Sequence, residues 1–155
     1  MKLPEKPQNG NNSQEYMKND WGALSLDMST YTLPSGVYDA EIIDAKVQQN
    51  ADADTLWAFI TIEMANADTG ELTSVEDPFM TIAAKEGSPK RTQVLEGLRR
   101  FAMYCNAAGV KADGRSPFDV VDDLVGRSLR ATIARTGKDL RLRNRVSKVV
   151  PCSQT

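Results

Sequence analysis

In TLWAFITIEM, residues 55–64, Leu56, Ala58, Ile60, Ile62 and Met64 recur at every second position, with Trp57, Phe59, Thr61 and Glu63 between them. A period of two is that of a strand with one buried face. The stretch has no Gly or Pro and is rich in β-branched and aromatic residues, which suits a pleated surface. The next residues, ANADTGE at 65–71, carry an Asp-Thr-Gly hairpin-turn signature. A third strand is expected over about 72–82, and Pro78 within it points to an edge position or a bulge. Upstream, Pro34-Ser35-Gly36 marks a turn. VYDAEIIDAKV, 37–47, then reads as a first strand in roughly alternating order, and QQNADAD, 48–54, as a polar loop.

After the third strand the period changes. Ser88 suits an N-cap and Pro89 a first helical position, and Val94, Leu95, Leu98, Phe101, Ala102 and Cys105 follow at helical spacing, with Gly109 as the C′ residue. This predicts an amphipathic helix of about five turns. PFDVVDDLVG, 117–126, reads as a short helix. RSLRATIAR (127–135) and DLRLRNRVSKVV (139–150) are two further strands joined by a turn at TGKD (136–139). The order β-β-β-α-(short α)-β-β, mainly β with one long helix between strands three and four, is the layout of an OB-fold, a five-stranded antiparallel barrel. Residues 1–20 are polar and aperiodic and are expected to be a flexible N-terminal tail. The domain is expected over 21–151, with Trp21 and Leu24 docked on it and 152–155 as a short C-terminal tail.

The 155 residues are 41% hydrophobic and 26% charged, as in an ordinary soluble domain. No run approaches a membrane span and the N-terminus has no secretory pattern, so a cytoplasmic location is expected. There is no histidine, which removes Ser-His and Cys-His catalysis and the usual zinc sites. Cys105 and Cys152 have neither disulfide-framework nor metal spacing. Asp39, Glu41 and Asp44 on the first strand, and Asp122-Asp123, are the material for a magnesium site, but no nuclease spacing links them. Neither an enzyme nor a cofactor is expected.

The net charge of −2 conceals a split. Residues 127–148 hold eight basic side chains against one acid, +7 in all, which leaves −9 for the remainder. A localised basic surface suits a polyanion. In the last strand Arg141, Arg143 and Arg145 alternate with Leu140 and Leu142, so a row of guanidinium groups is expected on one face, with Arg130, Arg135 and Lys138 adding to it. Such groups bind phosphate, often bidentately. The alternative is an edge strand charged against aggregation. Trp57 and Phe59 are expected on the non-core face of the second strand, with Phe79 extending them. Aromatics so displayed stack bases with little sequence preference. The alternative is that they are covered by the lead-in or by another chain. Lys90, Arg91, Arg99 and Arg100 lie on the helix, where an ordinary solvated face is the expected reading and a functional basic patch the alternative.

Taken in order, LPSGVY (33–38), CNAAG (105–109) and LVGRSL (124–129) resemble a family of phage and prophage proteins long catalogued as a domain of unknown function. Its members are regarded as OB-fold single-stranded DNA-binding proteins of phage replication and recombination. The resemblance spans about residues 33–151. It implies a non-catalytic protein that protects single-stranded DNA in the bacterial host cytoplasm, with replication or recombination proteins as further partners and self-association compatible with it. Two departures stand out: TIAAKEGSPK (81–90) lacks the aromatic and Asn-rich run of relatives, and PCSQT (151–155) lacks an acidic tail. Partner recruitment through such a tail is therefore not carried over. The alternative function is an OB-like protein-interaction adaptor in phage replication or host-defence evasion.

Overall fold

The computed structural model describes residues 32–49, 55–83 and 91–152. The expected tail over 1–20, the docking of Trp21 and Leu24, the helix start at Ser88-Pro89, and Lys90 all lie outside these residues.

In β2 (Thr55–Ala65), Ala58, Ile60, Ile62 and Met64 are buried and their neighbours less so. The period of two therefore gives the strand its inner face. β2 runs antiparallel to β1 (Gly36–Gln49) and β3 (Leu72–Ala83). The turn between β2 and β3 is organised by the buried Asn66. Its backbone N–H donates to the Glu71 carbonyl and its carbonyl accepts from Gly70 N, both at 2.8 Å, while its Oδ1 accepts from Asp68 N at 2.8 Å.

β1 serves two partners. Gly36 to Glu41 pair with β4 (Ser128–Thr136), and Glu41 to Gln49 pair with β2. A bulge between Ile42 and Asp44 makes this possible, because an extra residue bends and twists a strand. Before it Tyr38, Ala40 and Ile42 face inward; after it Ala45 is buried and Val47 half-buried, while Ile43 and Asp44 are both exposed. That slip of phase is why residues 37–47 alternate only roughly.

With β5 (Arg143–Val150) the sheet order is β3-β2-β1-β4-β5. β3 is an edge strand, as Pro78 suggests. The sheet curls into a half-barrel whose outer strands, β3 and β5, come into contact without a hydrogen-bonded ladder among the described residues. Ile42, Ile60, Ile62, Leu129, Ile133 and Val146 fill its interior.

The long helix and the short one, both expected, stand between β3 and β4: α1 (Arg91–Ala108) and α2 (Pro117–Leu124). α2 starts where Ser116 Oγ accepts from Phe118 N at 3.2 Å, and it sets Val120, Val121 and Leu124 against β1. α1 lies over the seam, packed on β3, β5 and β4. It ends at Gly109, φ 71°, with Val110 N donating to Cys105 O at 2.9 Å. Its buried face is Val94, Gly97, Phe101, Tyr104, Cys105 and Ala108. Leu95, Leu98 and Ala102, expected in that stripe, are exposed. The rotation follows from Gly97, whose Cα presses on β3 so closely that a Cβ would overlap the Met80 carbonyl. Gly97→Ala raises helix propensity by about 1 kcal/mol. It should nonetheless lower stability by about 1–3 kcal/mol through overpacking, read as an earlier urea midpoint. A later midpoint would show that α1 does not seat on Met80.

The last hairpin departs from expectation. β5 begins at Arg143, and Asp139–Arg141 forms a 3₁₀ turn. Arg141 N donates to Lys138 O at 2.9 Å and Leu142 N to Asp139 O at 3.2 Å, with Asp139 at φ 51° and Gly137 at φ 93°. Pairing of Thr136 with Arg143 closes the ladder there, so residues 139–142 turn the chain instead of extending the strand. Among the described residues no helix is long and apolar enough to cross a membrane.

Candidate nucleic-acid interface

The parity that sends Ala58, Ile60 and Ile62 inward sends Trp57 and Phe59 outward. Both are half-buried and stacked on each other, ring centroids 6.3 Å apart and planes at 26°. Lys46, opposite Phe59 on β1, places Nζ 5.7 Å from the Phe59 ring centre, within cation–π range. Farther along this outward face the charge is negative: Glu41 sits directly opposite Glu63, and Thr61 lies between Asp44 and Glu76.

Phe79 does not extend the stack. It pairs with Ala58, shares that residue's inward face and is 7% exposed. It lies parallel to Tyr104 at 6.1 Å and edge-on to Phe101 at 6.3 Å. A large ring opposite a small Ala fills the interior, and the half-buried Met80 takes the place beside Trp57 on β3.

The basic residues divide by parity and partner. Arg130 faces outward but its Nε bonds Asp39 Oδ1 at 3.1 Å. Arg135 has the parity of Ile133 and turns to the inner side at the barrel mouth. There its Nε donates to Leu33 O at 3.1 Å and its Nη2 to Thr32 O at 2.9 Å. Asn144, opposite Arg135, holds the Leu33 backbone with two 2.8 Å bonds, its Oδ1 accepting from Leu33 N and its Nδ2 donating to Leu33 O. Arg135 is thus a clamp on the lead-in rather than a member of an outward row. Arg143 and Arg145 share the outward face of β5 and are exposed; Lys138 and Arg141 are exposed in the turn before it. The row of three expected on one strand is therefore two arginines on β5 and one on its turn.

Arg100 has a different task. It reaches from α1 across the seam, with its Nε on Asp77 Oδ2 of β3 at 2.6 Å and its Nη2 on the Val146 carbonyl of β5. Tyr104 OH donates to the same Asp77 oxygen at 2.7 Å. Burial, with Asp77 beside it, holds the Tyr104 phenol far above its ordinary pKa. These three side chains join the outer strands where, among the described residues, no ladder does.

Beside this staple a groove of about 620 Å³ opens between α1, β3 and β5, bordered by Trp57, Met80, Arg99, Met103 and Arg145. Met80 is not marked by any pattern in the sequence, and Arg99 reads there as an ordinary helix charge. No sequence signal marks Arg99: its place at the groove follows from the neighbouring Arg100, whose partners Asp77 and Val146 are brought near only by the fold. Asp39, Glu41 and Asp44 lie along the outward side of β1, and no group of three or more Cys, Asp or Glu stands as metal ligands would among the described residues. Burial pushes the Cys105 thiol up to about 11, with Arg115 pulling slightly the other way. The chain matches no protein-family model and no curated protein.

Proposed function

We propose that the protein is a non-catalytic, single-stranded DNA-binding module of OB-fold type, acting with low sequence specificity in phage replication or recombination. The observation that carries this reading is the stacked Trp57–Phe59 pair, outward and half-exposed on β2, in a molecule that also exposes Arg141, Arg143 and Arg145 on β5 and its turn. Stacked aromatics hold bases by their faces at about 1–3 kcal/mol per base. Arginines hold phosphates without reading sequence. The order β3-β2-β1-β4-β5, with helices between β3 and β4 and contact between β3 and β5, supports the OB-fold assignment. OB-folds bind oligonucleotides on the face of strands two and three.

One observation favours the second reading, a protein-interaction adaptor. Glu41, Glu63, Asp44 and Glu76 share the outward face with the aromatic pair and repel a phosphate backbone. Fluorescence anisotropy of labelled oligo-dT over a range of salt, with duplex DNA as competitor, separates the two. The DNA reading expects binding that weakens steeply with salt and resists duplex. Absence of binding at low salt overturns it and leaves the adaptor.

A further inference from the structure

We infer that the groove at the barrel seam takes one nucleotide unit of the bound strand, its base on Trp57 and its flanking phosphates at Arg99 and Arg145. The inference rests on the single-strand reading above and extends the path from the β2 face onto helix α1. Trp57 belongs to both places: it stacks on Phe59 and it borders the groove. A strand lying over Phe59 and Trp57 therefore runs on into the groove. The walls there are apolar and partly exposed, with Met80 from β3 and Met103 from α1. Arg99 and Arg145 come from different elements, both are exposed, and neither is in an ion pair among the described residues. The neighbouring Arg100 is held by Asp77 and Val146, so the seam keeps its shape without calling on the two free cations. Two acids also border the groove: Asp77 is held by Arg100 and Tyr104, and Glu96 opposes an anion. About 620 Å³ lies within the ~300–1,000 Å³ of small-ligand sites. Apolar side chains from Trp57, Met80 and Met103 with Arg99 and Arg145 beside them suit a base with its phosphates.

The test uses the full chain with Trp21→Phe, so that Trp57 alone reports. Oligo-dT should quench its emission. Arg99→Ala should weaken binding about fivefold near 0.1 M salt and lower the salt slope by about 0.7, the share of one phosphate on a single strand. Arg99→Lys should restore the slope, and Glu96→Gln should tighten binding a few-fold. The urea midpoint should stay unchanged in all three. If the oligonucleotide binds with an unchanged slope in Arg99→Ala and no gain in Glu96→Gln, the groove is off the path and the single-strand reading stands. If no oligonucleotide binds at any salt, both fall.

Discussion

Asp77→Ala should lower the unfolding free energy by about 3 kcal/mol, a melting-point loss on the order of 10 °C in a domain of this size. The Asp77 carboxylate accepts from Arg100 and from Tyr104 through one oxygen, and its side chain is 10% exposed. Removing it leaves the Arg100 guanidinium, 23% exposed, with only the Val146 carbonyl. It also leaves the Tyr104 hydroxyl buried without an acceptor. Breaking a buried pair costs about 3–5 kcal/mol and orphaning a hydroxyl about 1 kcal/mol more; partial solvation of Arg100 brings the sum back toward 3. Asp77→Asn, which keeps an acceptor, should lose less. Asp39→Ala breaks the Arg130 pair at a carboxylate 75% exposed and should lower the unfolding free energy by less than about 1 kcal/mol. Equal urea midpoints for Asp77→Ala and Asp39→Ala would show that the seam is held by apolar packing alone. The same staple sets an alkaline limit. Because the folded Tyr104 keeps its proton while the unfolded phenol loses it near pH 10, the stabilisation is complete below that pH and is lost as pH rises beyond it.

The strands were legible because their burial is one-sided. TLWAFITIEM and SLRATIA each alternate cleanly, and each has its inner face where the alternation puts it. The edge position of β3 was legible from Pro78, which cannot donate to a second neighbour. What local pattern did not carry was set by non-local geometry. The bulge at Ile43 leaves only a blurred period. The rotation of α1 depends on Met80 lying under Gly97, which no helical spacing within 91–108 records.

The aromatic pair was legible for the same reason as the strand, since parity alone sends Trp57 and Phe59 outward. Phe79 lies inward against expectation, because the sequence of residues 72–82 carries a strand without its register. Once Ala58 is known to face Phe79, inward is the only parity available. The arginines mislead in sequence because charge does not say who is paired. Arg130, Arg135 and Arg100 read like Arg143 and Arg145, yet the first three find Asp39, the Thr32 and Leu33 carbonyls, and Asp77. Those partners lie 23 to 103 residues away in the chain.

That division makes the strongest functional prediction. Replacing Arg141, Arg143 and Arg145 together by Ala should weaken oligo-dT binding about 100-fold near 0.1 M salt and lower the salt slope by about 2, since each phosphate contact on a single strand contributes about 0.7. Melting should be unchanged, because all three side chains are exposed and none is in an ion pair among the described residues. Arg135→Ala should behave in the opposite way. It removes one donor from each of the Thr32 and Leu33 carbonyls, leaving them to Asn66 and Asn144, and should lower the melting point while leaving the salt slope intact. Anisotropy titrations at four salt concentrations, paired with melting curves on the same samples, read both quantities. If the triple variant keeps its slope, the β5 arginines do not meet phosphate. The exposed basic side chains on the hairpin then belong to contact with an acidic protein surface, the charge complement of the Glu41–Glu63 face on the other side of the sheet order.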